Sequence, residues 1–252
     1  MNKAPACAFG LCMIRPLAVL VALGSLVCGT TSALAAGKQA RPRVQQPAGV
    51  ARAQPTARKA PVARPARGVG ERIAARASRL VGVSSLKQVD RTMPDDCTGV
   101  ARIAYGSAGI EVMPRDGRKG DNGVTHIYRH ATRLGAVHKG KPKPGDLVFF
   151  RETYDRDRDG RRDDGLTHVG IVERVESNGT IHFVHRGSKG VARVRMNLRR
   201  PTTYRERKGG EVVNDYLRAA SRKHRAYVTG ELFAGFASPG PLARAGVLTS
   251  SR

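Results

Sequence analysis

The sequence predicts an α+β domain, because helical and strand patterns occupy different parts of the chain. Three stretches have apolar residues at helical spacing: 70–81, 97–105 and 124–134. Three later stretches are short and apolar or alternating: 147–150, 167–172 and 181–185. The last two flank Ser177-Asn178-Gly179-Thr180, a sequence typical of a hairpin turn. We therefore expect helices followed by antiparallel strands.

The first 35 residues are typical of a secretory signal peptide. Lys3 and Arg15 supply positive charge, 17–27 is a short apolar run, and Ala33-Leu34-Ala35 resembles a cleavage site. The run is too short to span a bilayer comfortably, and no other long apolar run follows, so we expect no transmembrane segment. The sequence therefore predicts an exported protein, periplasmic or extracellular. Cleavage would leave Cys97 as the single cysteine, which excludes an internal disulfide framework.

Residues 36–70 predict a disordered basic linker, and the folded domain is expected over 71–238. The linker is rich in Ala, Pro, Arg and Gln, with eight Lys or Arg and no acidic residue. The formal net charge of the chain is +25, and loss of Lys3 and Arg15 with the signal peptide would leave +23. Such an excess favours an anionic partner, for which we name peptidoglycan or another wall polymer. No nucleic-acid motif is present and aromatic residues are few, so nucleic acid is excluded as a specific partner.

Cys97 stands at the predicted start of a helix. Asp95 or Asp96 is expected to cap that helix by accepting its first free N–H groups. Val100 and Ile103 follow Cys97 on the same helical face, so the thiol should face the rest of the fold. The helix dipole at this end favours the nucleophilic thiolate. The alternative is a small buried core cysteine.

The strand over 167–172 places His168 on one face together with Gly170 and Val172. In a two-residue Asn-Gly hairpin, Val172 would pair with His185 on the returning strand. His185 would then share the face of His168 while lying about four residues, or roughly 13 Å, further along, and His182 would point to the opposite face.

Three blocks in order resemble the NlpC-type cell-wall cysteine peptidases, relatives of the CHAP amidases and of papain-like folds. The blocks are Asp96-Cys97-Thr98-Gly99-Val100, Pro144-Gly145-Asp146-Leu147-Val148-Phe149-Phe150 and His168-Val169-Gly170-Ile171-Val172. The resemblance covers about residues 71–205. It implies a papain-like, NlpC-like fold in which an N-terminal cysteine helix packs on a central antiparallel sheet.

The resemblance also implies a mechanism. Cys97 would be the nucleophile, His168 the base, and a third polar residue on the next strand would orient the imidazole. We assign that third role to His185, with His182 as the alternative. The predicted function is therefore an exported cysteine peptidase or amidase that hydrolyses amide bonds in the peptide part of peptidoglycan through a thioester. The alternative is a non-catalytic, basic, wall-associated binding protein with a calcium-stabilised domain.

An aspartate-rich segment separates the two central strands. Asp155, Asp157, Asp159 and Asp163 occupy positions 1, 3, 5 and 9 of a pattern that has Gly160 at position 6. Oxygen ligands at alternate positions can surround one hard cation, and the glycine permits a sharp turn. Position 12 is Leu166 rather than the glutamate of an EF-hand. We expect these four carboxylates to bind Ca²⁺, a cation that the chemistry itself does not require. The alternative is a solvated loop in which the Arg and Asp charges balance each other.

Beyond the hairpin the patterns are weaker. Residues 191–198 predict one more strand and 211–222 an amphipathic helix. Residues 239–252 are expected to form a loose tail.

Overall fold

The computed structural model describes residues 68–113 and 117–249. The predicted signal peptide and nearly all of the predicted linker lie outside these residues. The helices are α1 (Val69–Ser78), α2 (Cys97–Gly106), α3 (Gly123–Arg133), α4 (Thr229–Leu232) and α5 (Pro239–Thr249). The strands are β1 (Val137–His138), β2 (Leu147–Arg151), β3 (Leu166–Val175), β4 (Ile181–Gly187), β5 (Gly190–Met196), β6 (Tyr216–Arg218), β7 (Tyr227–Val228) and β8 (Phe233–Ala237).

Six strands form one antiparallel sheet in the order β1-β8-β2-β3-β4-β5, and β6 pairs with β7 separately. Helices α1, α2 and α3 contact β3, at the centre of the large sheet. The α+β class and the cysteine helix packed on an antiparallel sheet are therefore confirmed. None of the helices that the structure describes has the length and apolar character needed to span a bilayer.

Two apolar clusters divide the core. The larger one joins the helices to one set of strand side chains, with Ile73, Val100 and Val169 fully buried. The second includes Val148, Phe150, Val172 and Phe183, which belong to the alternate residues of the same strands. Burying apolar side chains on both sides of β2 explains why Leu147 to Phe150 is an uninterrupted apolar run.

The predicted tail is instead helical up to Thr249. Pro239 stands at the first position of α5, where a missing N–H costs nothing, and Leu242 is buried in the larger cluster. α5 also contacts α1. This docking, which the sequence pattern did not indicate, makes the prediction of a loose tail wrong for 239–249.

The predicted helix over 211–222 is also wrong. Asn214, fully buried, accepts the Asn197 N–H at 2.7 Å and donates to the carbonyls of Arg200 and Thr203. Asp215 accepts hydrogen bonds from the backbone and guanidinium of Arg195. These long-range bonds fix the segment in an extended form and override its helical apolar spacing.

Candidate active site

Cys97 is the first residue of α2, and the cap that the sequence predicted is present. The Asp96 carboxylate accepts the backbone N–H groups of Thr98 at 2.9 Å and Gly99 at 3.1 Å. Asp95 has a different role, since its carboxylate accepts the Leu86 N–H at 2.8 Å. The two adjacent aspartates therefore fix both the helix start and the chain that leads to it.

Cys97 is 9% exposed. Burial, and to a smaller extent the charge of Asp96, raise the pKa of its thiol to about 12, against the opposing effect of a hydrogen bond with the Val169 backbone. The dipole of a helix contributes only about 0.3–1 kcal/mol at its end, so loss of hydration outweighs it. The predicted thiolate is therefore not the resting form, and Cys97 rests as a thiol.

The two predicted histidines contact each other. Nε2 of His168, on β3, lies 2.8 Å from Nδ1 of His185, on β4, and the ring planes meet at 77°. Burial, and to a smaller extent the neighbouring His185, lower the pKa of His168 to about 3. Burial likewise lowers the pKa of His185 to about 4, although the charge of Asp215 opposes this. Both rings are therefore neutral at pH 7.

Two features of the β3–β4 hairpin bring these rings together: a three-residue turn, closed by the Glu176 N–H that donates to the Thr180 carbonyl at 2.8 Å, and a bulge in β3. Ile171 pairs with Val184 and Val172 with Phe183, and the register then shifts before Arg174 pairs with His182. The extra residue is Glu173, whose carboxylate accepts hydrogen bonds from Ser78 and Arg193. Continuing the register places His185 beside Gly170, two residues from His168 rather than the predicted four.

His182 is directed elsewhere. Its Nε2 lies 2.6 Å from Glu176 Oε1 and 3.3 Å from a guanidinium nitrogen of Arg174. The structure thus places His185, and not His182, against His168.

Cys97 and His168 line the same cavity, which has a volume of about 330 Å³. Tyr154, Asn122 and Arg186 also line it. Sequence reasoning missed these three residues. Their only signals were the nearness of Tyr154 to β2, the place of Asn122 as a cap for α3, and the adjacency of Arg186 to His185.

Asp155, Asp157 and Asp159 form a compact carboxylate group, with one oxygen from each within 4.8 Å of the others. Asp155 Oδ2 accepts the Gly160 N–H at 2.8 Å, while its Oδ1 is buried without a hydrogen-bond partner. Gly160 has φ +80°, as a sharp turn requires. Asp163 is exposed and lies outside the group, so the structure assembles three of the four predicted ligands. This donor set suits a hard cation.

The CHAP domain family matches residues 88–187, a span that contains Cys97, His168 and His185. Two solved structures are similar at 22% identity: NlpC1 from Trichomonas vaginalis and an N-acetylmuramoyl-L-alanine amidase from Staphylococcus aureus. No curated protein was found to match the chain.

The structural likenesses are low, with TM-scores of 0.31 for NlpC1 and 0.28 for the amidase. The first covers 49% of this chain and 38% of that structure, and the second 40% and 27%. The chain thus spans less than half the length of either protein, and the assignment depends on the family match. The similarity to the CHAP domain family is confined to residues 88–187, the part of the chain that carries the candidate site.

Proposed function

We propose that this chain is an exported cysteine hydrolase that cleaves amide bonds in the peptide part of peptidoglycan. The observation that supports it best is the shared cavity of Cys97 and His168 together with the contact of His185. The thiol and the first imidazole share one cavity, and the second imidazole engages Nε2 of the first. The match of residues 88–187 to the CHAP domain family supports peptidoglycan as the substrate class.

The contact between the two histidines indicates which ring nitrogen of His168 acts as the base. Nε2 of His168 is engaged by His185, so Nδ1 is the nitrogen left to exchange a proton with the thiol. That role requires the Nε2–H tautomer of His168, with His185 Nδ1 as the acceptor. The hydrogen bond holds the His168 ring in place and stabilises its protonated form during the reaction.

Acylation would begin from neutral groups. The Cys97 proton passes to His168 Nδ1 as sulfur attacks the carbonyl carbon of the scissile amide. The tetrahedral intermediate collapses when the imidazolium returns that proton to the leaving nitrogen. The C–N bond breaks and a thioester to Cys97 remains. The backbone N–H of Cys97, at the free end of α2, is our candidate donor to the oxyanion.

Deacylation would use the same groups. His168 Nδ1 takes a proton from a water molecule whose oxygen attacks the thioester carbon. When this second intermediate collapses, the C–S bond breaks and sulfur recovers the proton. The products are a new carboxyl group on one fragment, a new amine on the other, and the free thiol.

Digestion of purified peptidoglycan by the full chain, analysed by mass spectrometry, tests this proposal. We expect fragments with a new amine and a new carboxyl group, and none from Cys97→Ala. His185→Gln should lower the rate strongly, whereas His182→Gln is the matched control and should retain it. Equal fragments from wild type and Cys97→Ala would refute the assignment of the nucleophile.

A non-catalytic wall-binding protein is the second candidate, and the raised pKa of the buried Cys97 thiol is the observation that favours it. Sedimentation of the chain with peptidoglycan, without release of fragments by wild type, would support this alternative. The net charge of +25 suits retention on an anionic polymer in either case.

We also propose that Asp155, Asp157 and Asp159 bind Ca²⁺. The unpartnered buried Oδ1 of Asp155 supports this, because such an oxygen is costly unless a cation or a donor meets it. The ion would order the loop between β2 and β3, which carries Tyr154 at the catalytic cavity.

A further inference from the structure

A second cavity, of about 690 Å³, lies between one face of α3 and the aspartate-rich loop. We call it the arginine groove. Its lining includes Arg118, Asn122, Tyr128, Arg129, Arg133 and Arg156. A volume of this size accommodates a small molecule or a few residues of a peptide.

The groove adjoins the catalytic cavity. Asn122 lines both, and its position is fixed because Oδ1 accepts the Thr125 N–H at 2.9 Å while Nδ2 donates to the Leu166 carbonyl at 2.8 Å. On the loop side, Arg156 follows two residues after Tyr154, which lines the catalytic cavity. A ligand held at Cys97 can therefore extend past Asn122 into the groove.

The lining has an excess of positive charge, with four arginines against Asp121 and Asp164. Asp121 is paired with Arg129 at 3.2 Å, and Asp164 accepts the backbone N–H of Arg156 at 2.9 Å. Within 68–113 and 117–249, no ion pair involves the guanidinium of Arg118 or Arg156. These two groups are thus left to bind an anion.

Tyr128 gives the groove an aromatic wall. The Tyr128 ring packs edge-on against Phe149, with ring centroids 5.0 Å apart. A negatively charged peptide suits this groove, because the peptide chain can pack on the aromatic ring and the negative charge can pair with the guanidinium groups.

We propose that the arginine groove binds a free carboxylate of the peptide whose amide bond is cut at Cys97. This inference rests on the proposed hydrolysis, since it assigns the groove to the same substrate. Guanidinium groups pair with carboxylates through two parallel N–H···O bonds, which gives both affinity and orientation. The enzyme would accordingly select peptides that carry a carboxylate beside the scissile bond.

Calorimetric titration of the Cys97→Ala chain tests the groove without turnover. The probes are a synthetic stem tetrapeptide with free carboxylates and the same peptide with every carboxylate amidated. We expect the amidated peptide to bind roughly tenfold more weakly. Arg118→Gln and Arg156→Gln should each weaken binding of the carboxylate peptide several-fold and leave the amidated peptide unchanged, and Arg156→Lys should restore part of the affinity.

Arg207→Gln, an exposed arginine outside the groove, is the matched control and should change neither affinity. Equal affinity for the two peptides, or equal losses for both in the groove variants, would overturn the inference. Binding of a polyglycerol phosphate that the carboxylate peptide does not displace would overturn it too.

Digestion of peptidoglycan by the wild-type chain separates the two proposals. Release of fragments whether or not the peptides carry free carboxylates would refute the role of the groove and support the hydrolase. Carboxylate-dependent binding without release of any fragments would support the groove as an anion site and refute the proposed hydrolysis.

Discussion

The guanidinium of Arg186 makes two hydrogen bonds with the carboxylate of Asp95, Nε to Oδ1 at 3.1 Å and NH2 to Oδ2 at 3.2 Å. Asp95 stands two residues before Cys97, and Arg186 follows His185. The pair therefore joins the start of the cysteine helix to the strand of the third catalytic candidate. Hydrogen bonds from Arg186 and then from the Leu86 backbone hold the pKa of the Asp95 carboxyl well below its usual range.

Loss of this pair should reduce activity more than stability. We expect Arg186→Gln to lower kcat/KM about tenfold, because a small displacement of reacting groups is costly. Asp95→Asn should have a similar effect, and the double variant should lose little more than either single one. Steady-state kinetics on a peptide substrate give the values. Arg200→Gln breaks an exposed pair with Glu206 and is the control; an equal loss there would contradict the role of Arg186.

The pH dependence of activity should reflect the lowered pKa values of the histidines. Because burial lowers the pKa to about 3 for His168 and about 4 for His185, both stay neutral as the pH falls through 6.5. We therefore expect kcat/KM to persist at pH 5 and to decline only from about pH 4 downward, where first His185 and then the base His168 become protonated. A profile of kcat/KM from pH 3 to 8 measures this acidic decline. A midpoint near 6.5 would contradict it.

The rate of alkylation of Cys97 should depend on pH in the alkaline range. Since the pKa of the thiol is raised to about 12, reaction of the free chain with iodoacetamide should be slow at pH 7 and should still increase above pH 10. Mass spectrometry of the labelled chain follows the rate, with free cysteine as the reference. Rapid labelling at pH 6 would show that a thiolate exists at rest.

Local patterns predicted the elements of this site better than they predicted its electrostatics. The cap at Asp96 and the apolar face of α2 depend on neighbouring residues, so the sequence alone located them. The pKa of Cys97 depends on burial by distant segments, and no local pattern reports it. The Glu173 carboxylate at the bulge is bound by Ser78 and Arg193, which are remote in sequence. This bulge and the three-residue turn each shift the register by one residue, so the simple two-residue hairpin gave the wrong distance between the histidines.

Calcium should stabilise the domain through three carboxylates rather than four. We expect Ca²⁺ to raise the unfolding temperature of the wild-type chain relative to chelator, since a ligand that binds only the folded form stabilises it. Asp157→Asn and Asp159→Asn should abolish this increase, while Asp163→Asn should retain it because Asp163 lies outside the group. Differential scanning calorimetry measures the shift. Identical transitions with calcium and with chelator would exclude the site.

Gly170 should be intolerant of even one added methyl group. A Cβ at this position would lie 2.7 Å from a ring carbon of Phe183 and 3.0 Å from the Val184 carbonyl oxygen. Phe183 is fully buried and pairs with Val172, so its ring cannot simply turn away, and the neighbouring carbonyl belongs to the strand that carries His185. We expect Gly170→Ala to lower the free energy of unfolding by about 1–3 kcal/mol, the usual cost of overpacking a core.

The same substitution should disturb the contact between His168 and His185, because the added group pushes β4 away from β3. Urea denaturation gives the stability, and kcat/KM reports the contact. Gly106→Ala is the matched control, since a Cβ at Gly106 meets nothing within 4 Å and should leave both values near wild type or raise stability slightly. Wild-type kcat/KM in Gly170→Ala would mean that the two imidazoles keep their hydrogen bond when the strands separate, and that their alignment does not depend on the close packing of β3 on β4.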